Sequence, residues 1–410
     1  MTTSSTLLRV LRDRTAGPYL AAVAVSAFGT SSLWLASGVW VKDLTGSDGL
    51  AALCALALWA PTPAGPLLGT LADRFRRRPL LIALDLGLAG LLLTLFAVGS
   101  PGDLWLLFAV LFVYGAAGAV HDAAESALVG AAVAPDLLGD VNGLRTAVTE
   151  GMKLVAPLTG AGLYAVRGGP AVACLDALTF ALAAGLCALL RVREERPAPA
   201  GEGRWKRTAA GVRHLWGHPV LRPLVAAGGA TMLLTALAGS TVYAVVDRLG
   251  HSPGYAGVLY AVQGAGSVAA GLVAGPAARR LGGRRFAAAG IALTGAATVA
   301  RAVPSDAVAL VSSAASGLGL PCVLVAAFTA VQRETPGPLL GRATAAAGTL
   351  VSGPTVAGLG LGAGLVELAG PAPLLPLYGL ALLLTAAWLA QRPDSADRTA
   401  ARSPSDAGPA

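Results

Sequence analysis

Charged residues are scarce in this chain of 410 amino acids, and they cluster into short runs. Residues 15–41 contain no charge, residues 49–72 contain none, and similar stretches follow along the sequence. A helix needs about 20 consecutive apolar residues to cross the hydrocarbon core of a bilayer. Only 13% of the residues are charged, whereas a soluble domain carries roughly 25%. The sequence therefore predicts a polytopic membrane protein.

Twelve stretches are apolar enough and long enough to be spans. Glycine and proline interrupt several of them, which membrane helices tolerate because neighbouring helices and water satisfy the freed backbone groups. We therefore expect an all-α membrane protein with twelve transmembrane helices. In chain order, the predicted spans lie near residues 18–41, 49–72, 80–99, 104–126, 142–165, 170–190, 222–246, 254–277, 286–303, 307–331, 343–366 and 371–391.

The distribution of basic residues between the spans predicts the orientation. If the N-terminus is cytoplasmic, 25 of the 30 lysines and arginines fall in cytoplasmic segments. Only Lys42, Arg167, Arg248 and Arg301 fall in external loops, and Lys153 lies within a span. Cytoplasmic loops of membrane proteins carry such an excess of Lys and Arg. Both termini are therefore predicted to be cytoplasmic, and the net charge of +8 does not indicate a nucleic-acid partner.

One long connection divides the spans into six and six. We predict an N-terminal half (residues 1–190), a cytoplasmic linker (191–222), a C-terminal half (223–391) and a disordered cytoplasmic tail (392–410). The tail contains mainly Ala, Ser, Pro, Asp and Arg and shows no periodicity. The linker from Trp205 to Trp216 fits either an amphipathic helix on the membrane surface or a solvated basic segment.

A repeated loop relates the two halves. Residues 69–78 follow span two, residues 275–285 follow span eight, and both segments begin with glycine and carry clustered arginines. An offset of 206 residues aligns Gly69 with Gly275 and Arg74 with Arg280. Parallel repeats of this kind build one class of secondary transporter. The repeat predicts two pseudo-symmetric six-helix bundles.

The first copy of this loop resembles the signature of the major facilitator superfamily, G-x-x-x-D-[RK]-x-G-[RK]-[RK], except that Arg76 replaces the second glycine. Its D-R-F-x-R-R form, together with residues 134–138, 142–144 and 175–180, is similar to the drug:proton antiporter group that includes macrolide, multidrug and siderophore exporters. The resemblance covers nearly the whole chain. It implies alternating access between two bundles, but it identifies no substrate.

The loop motif is a candidate cytoplasmic latch. Small Gly69 permits close helix approach, and Asp73 can accept hydrogen bonds from a helix N-terminus, which in the family belongs to span eleven, here near Arg342. The arginines can pair with span-four carboxylates; alternatively, they serve only as topology signals. Arg279 replaces the aspartate in the second copy, so no matching latch is expected there. The candidate latch residues are Gly69, Asp73, Arg74, Arg77, Arg78, Asp122 and Glu125.

Ionisable residues inside the spans are candidates for a proton or substrate site. Each costs roughly 2.5–3.5 kcal/mol to insert at the middle of a membrane helix, so such residues are usually functional. Glu150 and Lys153 of span five share a helix face and can pair. This pair can carry a proton or can simply line the cavity as a stable ion pair. Asp85 in span three and Asp176 in span six are further candidates, and Asp176 can equally cap or pair locally.

Two other sets of residues bear on transport. Polar and aromatic residues near mid-span are cavity candidates, although Trp34 and Tyr243 fit a headgroup belt equally well. Glycine and proline in spans five and eleven predict helix bends and resemble an exporter pattern, degraded in span five by Met152 and Ala156, which favours export. The cavity candidates are Ser31, Trp34, Tyr243, Tyr260 and Gln263, and the bend candidates are Pro157, Gly160, Gly353 and Pro354.

These observations together predict a proton-coupled exporter of hydrophobic or cationic small molecules, functioning as a monomer in a bacterial inner membrane. The alternatives are a dedicated exporter of a secondary metabolite or siderophore, or a lipid flippase. A membrane-embedded enzyme is disfavoured, because His121-Asp122-x-x-Glu125 is the sole acid/base-like cluster and no HExxH, GxSxG or nucleotide-binding loop occurs. We expect neither a cofactor nor a metal site.

Overall fold

The computed structural model of the protein describes residues 16–65, 68, 75–132, 138–190 and 204–391. Every regular element in these ranges is helical. The all-α prediction is therefore confirmed for the part of the chain that the structure describes. Gly69, Asp73 and Arg74 of the candidate latch lie outside the described residues, as do residues 1–15, residues 191–203 of the linker and the tail from residue 392.

Within the described residues, the N-terminal part of the chain contains six α-helices. Ser47 begins the second of them, since its side chain accepts a hydrogen bond from the amide of Leu50 at 3.0 Å. Gly46, just before it, has φ +70°, a left-handed conformation that favours glycine. The six helices are α1 (Ala16–Thr45), α2 (Asp48–Trp59), α3 (Arg77–Leu93), α4 (Leu104–Ala132), α5 (Leu138–Arg167) and α6 (Gly169–Leu189).

Eight further helices follow in the described part from residue 204 to residue 391, and one of the predicted spans is broken. The stretch 222–246 was expected to be a single helix, but one helix ends at Gly239 and the next begins at Val242. The residues between them are serine and threonine, whose hydroxyls compete for backbone hydrogen bonds. The eight helices are α7 (Arg204–Gly217), α8 (Leu221–Gly239), α9 (Val242–Arg248), α10 (Ala256–Leu281), α11 (Gly283–Ala300), α12 (Asp306–Glu334), α13 (Gly337–Ala369) and α14 (Pro371–Ala390).

In the part of the chain that the structure describes, eight stretches are helical, long enough and apolar enough to cross a membrane. The other four predicted spans coincide with α2, α5, α10 and α11, which do not meet these criteria within the described residues. The described part of α2 has 12 residues, and α5 carries charges along its length. The protein is thus a multi-pass membrane protein, while the number twelve and the orientation stay predictions. The eight stretches are 16–45, 77–97, 101–125, 169–189, 221–239, 306–334, 342–369 and 371–390.

The chain divides into two compact units. Unit 1 contains residues 1–202, 239–265 and 359–371, and unit 2 contains the remainder. Small residues allow close helix packing within each unit. In unit 1, a Cβ atom at Gly160 of α5 would overlap the carbonyl oxygen of Ser32 in α1. In unit 2, a Cβ atom at Gly290 of α11 would lie 2.5 Å from the carbonyl oxygen of Gly319 in α12.

The linker segment contains a helix that packs against protein. Leu215 of α7 is fully buried in a cluster with Leu221, Val331 and Ala343, all in unit 2. A Cβ atom at Gly211 would overlap the carbonyl oxygen of Arg342. One side of α7 therefore packs against other helices of unit 2, so the linker contains a docked helix. Its contact with the membrane surface stays a prediction.

Candidate functional site

Five polar side chains meet in the interior of unit 1 and form what we call the His121 cluster. It consists of Tyr19 from α1, Asp85 from α3, His121 and Glu125 from α4, and Arg145 from α5. Asp85 lies about two helical turns from the start of α3. In the predicted orientation, the cluster therefore occupies the cytoplasmic half of the unit.

Glu125 is held from three directions. Its Oε1 atom accepts hydrogen bonds from the Tyr19 hydroxyl at 2.5 Å and from Arg145 Nε at 2.7 Å. Its Oε2 atom lies 3.5 Å from Nδ1 of His121, one helical turn away on α4. Only 6% of Glu125 is exposed. The carboxylate is therefore a buried charge that a guanidinium neutralises directly.

Asp85 contrasts with Glu125 in its partners. Its carboxylate is 0% exposed, and neither oxygen accepts a well-formed hydrogen bond within the part of the chain that the structure describes. Its close polar contact is an ion pair with His121, whose Nε2 atom lies 3.2 Å from Asp85 Oδ1. Asp85 thus depends on the imidazole of His121 for its charge compensation.

The two ring nitrogens of His121 each face a carboxylate, Nε2 towards Asp85 and Nδ1 towards Glu125. A neutral imidazole can donate from one nitrogen, whereas an imidazolium donates from both. With His121 protonated, its charge and that of Arg145 balance Asp85 and Glu125. A buried set of charges requires such balance, because an unpaired charge in an apolar interior is costly.

The cluster does not have the electrostatics of a metal site. Ligand atoms of His121, Asp122 and Glu125 lie within 4.8 Å of one another. However, Arg145 lies 2.7 Å from Glu125, so a fixed cation already occupies that carboxylate and would repel a metal ion. Asp122 is 75% exposed and lies 3.7 Å from Arg145. The geometry favours an ion-pair network over metal coordination.

Two of the described latch residues, Glu125 and Arg78, contact groups that the sequence analysis did not name. Glu125 was expected to pair with loop arginines, but Arg145 of α5 makes this ion pair. Arg78 donates to the carbonyl oxygen of Cys187 at 3.2 Å and to that of Ala188, which joins the start of α3 to the end of α6. Because Gly69, Asp73 and Arg74 lie outside the described residues, the latch as a whole stays a prediction.

Asp176 lies in a network of hydroxyl groups. Its Oδ2 atom accepts a hydrogen bond from the Tyr114 hydroxyl at 3.1 Å, and its Oδ1 atom accepts one from Thr179 at 3.1 Å. Tyr114 also lies 2.7 Å from the hydroxyl of Thr30. A Cβ atom at Gly29 would overlap Asp176 and Thr179. Asp176 therefore joins α1, α4 and α6 through its hydroxyl partners, and its role as a proton or substrate site stays a prediction.

The other proton and bend candidates are placed on their predicted helices. Glu150 and Lys153 both lie on α5, and Lys153 is exposed, but the side chain of Glu150 lies outside the described residues. Their pairing therefore stays a prediction. Helix α5 continues through Pro157 and α13 continues through Pro354, next to Gly353. The predicted bends at these prolines also stay predictions.

The structure brings two of the cavity candidates together. The rings of Trp34 in α1 and Tyr260 in α10 meet edge to face, with centroids 4.8 Å apart and an interplanar angle of 64°. Ser31 and Gln263 are half-buried on the same two helices. Tyr243, in contrast, is buried, and its hydroxyl lies 3.4 Å from the carbonyl oxygen of Leu35. Tyr243 therefore packs against α1.

A second charged group, which we call the external cluster, lies on the predicted external side of unit 1. Lys42 Nζ is 2.8 Å from Asp48 and 2.6 Å from Asp247, and Lys42 is only 8% exposed. Glu367 accepts hydrogen bonds from the Ser47 hydroxyl and the Gly49 amide, both at 2.6 Å. These contacts join the loop between α1 and α2 to the ends of α9 and α13.

Sequence reasoning missed Arg145 and Tyr19 of the first cluster and every member of the external cluster. The i, i+4 spacing of His121 and Glu125 was the available signal for the first. From the sequence, Lys42 is only a charge in a predicted external loop. Its partner Asp247 lies in another helix, and no local sequence pattern relates the two.

Relatives share part of the sequence. Macrolide efflux protein A of Streptococcus pyogenes is 28% identical over 172 residues, which are 41% of this chain and 42% of that protein. An uncharacterised MFS-type transporter of Bacillus subtilis is 27% identical over 143 residues, 35% of this chain and 33% of that one. The chain therefore spans less than half the length of these curated relatives.

Solved structures share the fold over nearly the whole chain. A bacterial homologue of the iron transporter ferroportin, in an inward-facing state, has a TM-score of 0.70 at 16% identity and covers 94% of this chain and 100% of that chain. The peptide transporter POT has a TM-score of 0.72 at 16% identity, over 92% of this chain and 94% of that one. At this identity, the likeness concerns the fold alone.

A family model matches most of the chain and assigns it to a protein family. The model described as Major Facilitator Superfamily matches residues 19–250 and 224–409. The match extends over most of the sequence and includes both regions that carry the repeated loop. The protein therefore belongs to the Major Facilitator Superfamily, a family of membrane transporters and not of enzymes.

Proposed function

We propose that the protein exports hydrophobic or cationic small molecules in exchange for protons, as a monomer in a bacterial cytoplasmic membrane. The observation that carries the proposal is the family match together with the similarity to macrolide efflux protein A. Members of this superfamily alternate access to a central site by moving two helix bundles. Export of macrolide-like compounds is the direction and substrate class that these relatives favour.

Proton coupling requires a group that binds a proton in one conformation and releases it in another. The candidates are Asp85, Glu150, Lys153 and Asp176, each an ionisable residue on a predicted span. Such residues are costly in a membrane, and proton relays are a frequent reason for their presence. The buried carboxylates of Asp85 and Asp176 support the proposal.

Alternating access also requires contacts that form and break on each side. The external cluster provides such contacts, because Lys42–Asp247 and Gly49–Glu367 join residues from the two predicted sequence halves. The motif from Gly69 to Arg78 is the proposed counterpart on the cytoplasmic side. Ion pairs suit this role, since water solvates their members once the contact opens.

The edge-to-face pair of Trp34 and Tyr260 is the proposed substrate contact. Aromatic faces attract cations and bury apolar groups, so they suit a hydrophobic or cationic compound. Ser31 and Gln263 on the same helices supply hydrogen-bonding groups. This arrangement would bind a range of compounds, because aromatic surfaces impose few directional constraints.

The test is transport by the full chain reconstituted in vesicles with an imposed pH gradient. The probes are erythromycin as a macrolide, ethidium as a cation and a fluorescent phospholipid. We expect the gradient to drive accumulation of erythromycin or ethidium, with dissipation of the gradient in their presence. Phospholipid movement alone would replace the proposal by a flippase, and inactivity towards all three probes would favour a dedicated metabolite exporter.

A further inference from the structure

We propose that His121 and Asp85 together form the proton-binding site of this transporter, with one exchangeable proton held between the imidazole and the carboxylate. The proposal rests on the proton-coupled transport proposed above. It goes further by selecting one pair of residues. Asp85 is already a proton candidate from the sequence, whereas His121 is not.

Burial and partners single out Asp85. The carboxylate is 0% exposed, and no described group donates a well-formed hydrogen bond to it, so His121 at 3.2 Å supplies its compensation. Asp176 is equally buried but accepts hydrogen bonds from Tyr114 and Thr179. If His121 loses its proton, the carboxylate of Asp85 remains buried without the imidazolium that compensates its charge. Asp176 keeps its hydrogen bonds in that case, so it depends much less on the state of His121.

The surrounding groups confine the exchangeable proton to this pair. The neighbouring carboxylate Glu125 already has a cation, because Arg145 binds it at 2.7 Å. An arginine keeps its proton in proteins, so the Glu125–Arg145 pair has a fixed charge. Among the described residues, the titratable and charged groups around His121 are Asp85 of α3, Asp122 and Glu125 of α4, Arg145 of α5 and Tyr19 of α1, with Cys187 of α6 near the carboxylates and Arg78 of α3 bonded at Cys187.

One proton changes the net charge of this buried set from zero to minus one. The neutral set comprises His121 as imidazolium, Arg145, and the carboxylates of Asp85 and Glu125. When the proton leaves His121, the imidazole can donate to only one of its two carboxylates. The deprotonated set then favours an arrangement of α3 and α4 that admits water to Asp85, which links proton release to a change in packing.

The exposed fractions indicate how the proton arrives. The His121 side chain is 20% exposed, whereas Asp85 is 0% exposed and lies behind it. The proton therefore binds through the imidazole, and Asp85 stabilises the imidazolium that results. This order makes His121 the exchanging group and Asp85 its counter-ion.

The first test measures the protonation of His121 directly. The chain has only four histidines, so nitrogen NMR of protein with ¹⁵N-labelled histidine can resolve their rings, and His121→Gln assigns the His121 signals. We expect both ring nitrogens of His121 to be protonated at neutral pH, and Asp85→Asn to convert the ring to a neutral tautomer. Asp306→Asn is the matched control, since Asp306 is an exposed residue at the start of α12. A neutral His121 in the unmodified protein would overturn the proposal.

The second test measures coupling in vesicles, with erythromycin and ethidium as probes. Asp85→Asn and His121→Gln preserve side-chain size, which limits disruption of the apolar cluster that contains Tyr19, Leu81 and Val120. We expect both variants to lose gradient-driven accumulation but to retain downhill exchange. His251→Gln and Asp306→Asn should retain both activities. Coupled transport by both site variants would overturn the proton site.

Different results would contradict proton-coupled export and the choice of His121 and Asp85 as its proton site. If the unmodified protein transports a probe without any dependence on the pH gradient, proton-coupled export is wrong, and the coupling role of His121 falls with it. If the unmodified protein is coupled and the His121 and Asp85 variants are also coupled, only the choice of site is wrong. If a variant has lost downhill exchange, its transport cannot report on coupling. The NMR measurement then decides, because it requires no transport.

Discussion

The amide of Gly49, at the start of α2, donates a 2.6 Å hydrogen bond to the carboxylate of Glu367, which lies 318 residues further along the chain. Ser47 donates to the same oxygen atom of Glu367. Lys42 lies in the same cluster, between Asp48 and Asp247. Two acidic side chains from distant parts of the sequence thus hold the short loop between α1 and α2.

Removing the central cation should loosen this loop. Lys42→Met leaves Asp48 and Asp247 without their shared partner, which should weaken the external cluster by about 1–3 kcal/mol. We expect faster hydrogen–deuterium exchange in residues 46–52. Arg248→Gln is the control, since it removes a neighbouring positive charge outside the cluster. Equal exchange rates in both variants would contradict a role of Lys42 in holding the loop.

Close packing of α1 against α5 predicts a large difference between two neighbouring glycines. Gly160→Val would force its side chain against the backbone of Ser32 and should cost about 1–3 kcal/mol of stability. Gly162→Ala should be neutral or slightly stabilising, because nothing lies within 4 Å of a Cβ atom there. Thermal unfolding of the two purified variants measures the difference. Similar melting temperatures would show that these helices do not pack at Gly160.

Docking of the linker helix depends on another glycine. Gly211→Val would introduce a side chain where α7 meets the carbonyl oxygen of Arg342, so α7 should detach from unit 2. We expect limited proteolysis to cleave residues 204–217 more rapidly in this variant. Gly217→Ala, at a position with open space around its Cβ, serves as the control. If the cleavage rates match, α7 is not held at Gly211.

Two tyrosines test whether hydroxyl hydrogen bonds stabilise the interior. Tyr114→Phe removes a donor from the buried carboxylate of Asp176 and should destabilise the protein by about 1–3 kcal/mol. Tyr378→Phe should cost nothing, because its buried hydroxyl has no hydrogen-bond partner in the part of the chain that the structure describes. Denaturant-dependent unfolding of both variants gives the comparison. A Tyr114→Phe protein as stable as the Tyr378→Phe protein would contradict the Asp176 network.

Substrate contact at Trp34 predicts an effect on affinity. Trp34→Ala removes one ring of the Trp34–Tyr260 pair and should weaken binding of ethidium by about tenfold, the equivalent of a partly desolvated cation–π contact. Trp34→Phe should recover part of the affinity, since it restores an aromatic face. Trp105→Ala, at a ring that is 70% exposed, should have no effect. Fluorescence titration with ethidium measures the dissociation constants.

The sequence was sufficient to predict a membrane protein and its superfamily, because both predictions depend on local patterns. An uncharged stretch such as residues 15–41 predicts a span by length alone, and α1 occupies that stretch. The repeated loop after spans two and eight indicated the superfamily that the family model then assigned. Asp85 and Asp176 stood out as candidates because a charge inside an apolar stretch is visible without any knowledge of its neighbours.

Partner choice was decided only by the tertiary structure. Glu125 was expected to pair with arginines of the loop at residues 69–78, yet Arg145 binds it, and Asp85 pairs with His121 of a different helix. The break between Gly239 and Val242 and the contact of Lys42 with Asp247 were equally absent from the sequence predictions. A span is determined by the transfer of one segment from water to lipid, which its own composition fixes. An ion pair depends on which helix faces which, and packing of small residues such as Gly29 and Gly160 determines those faces.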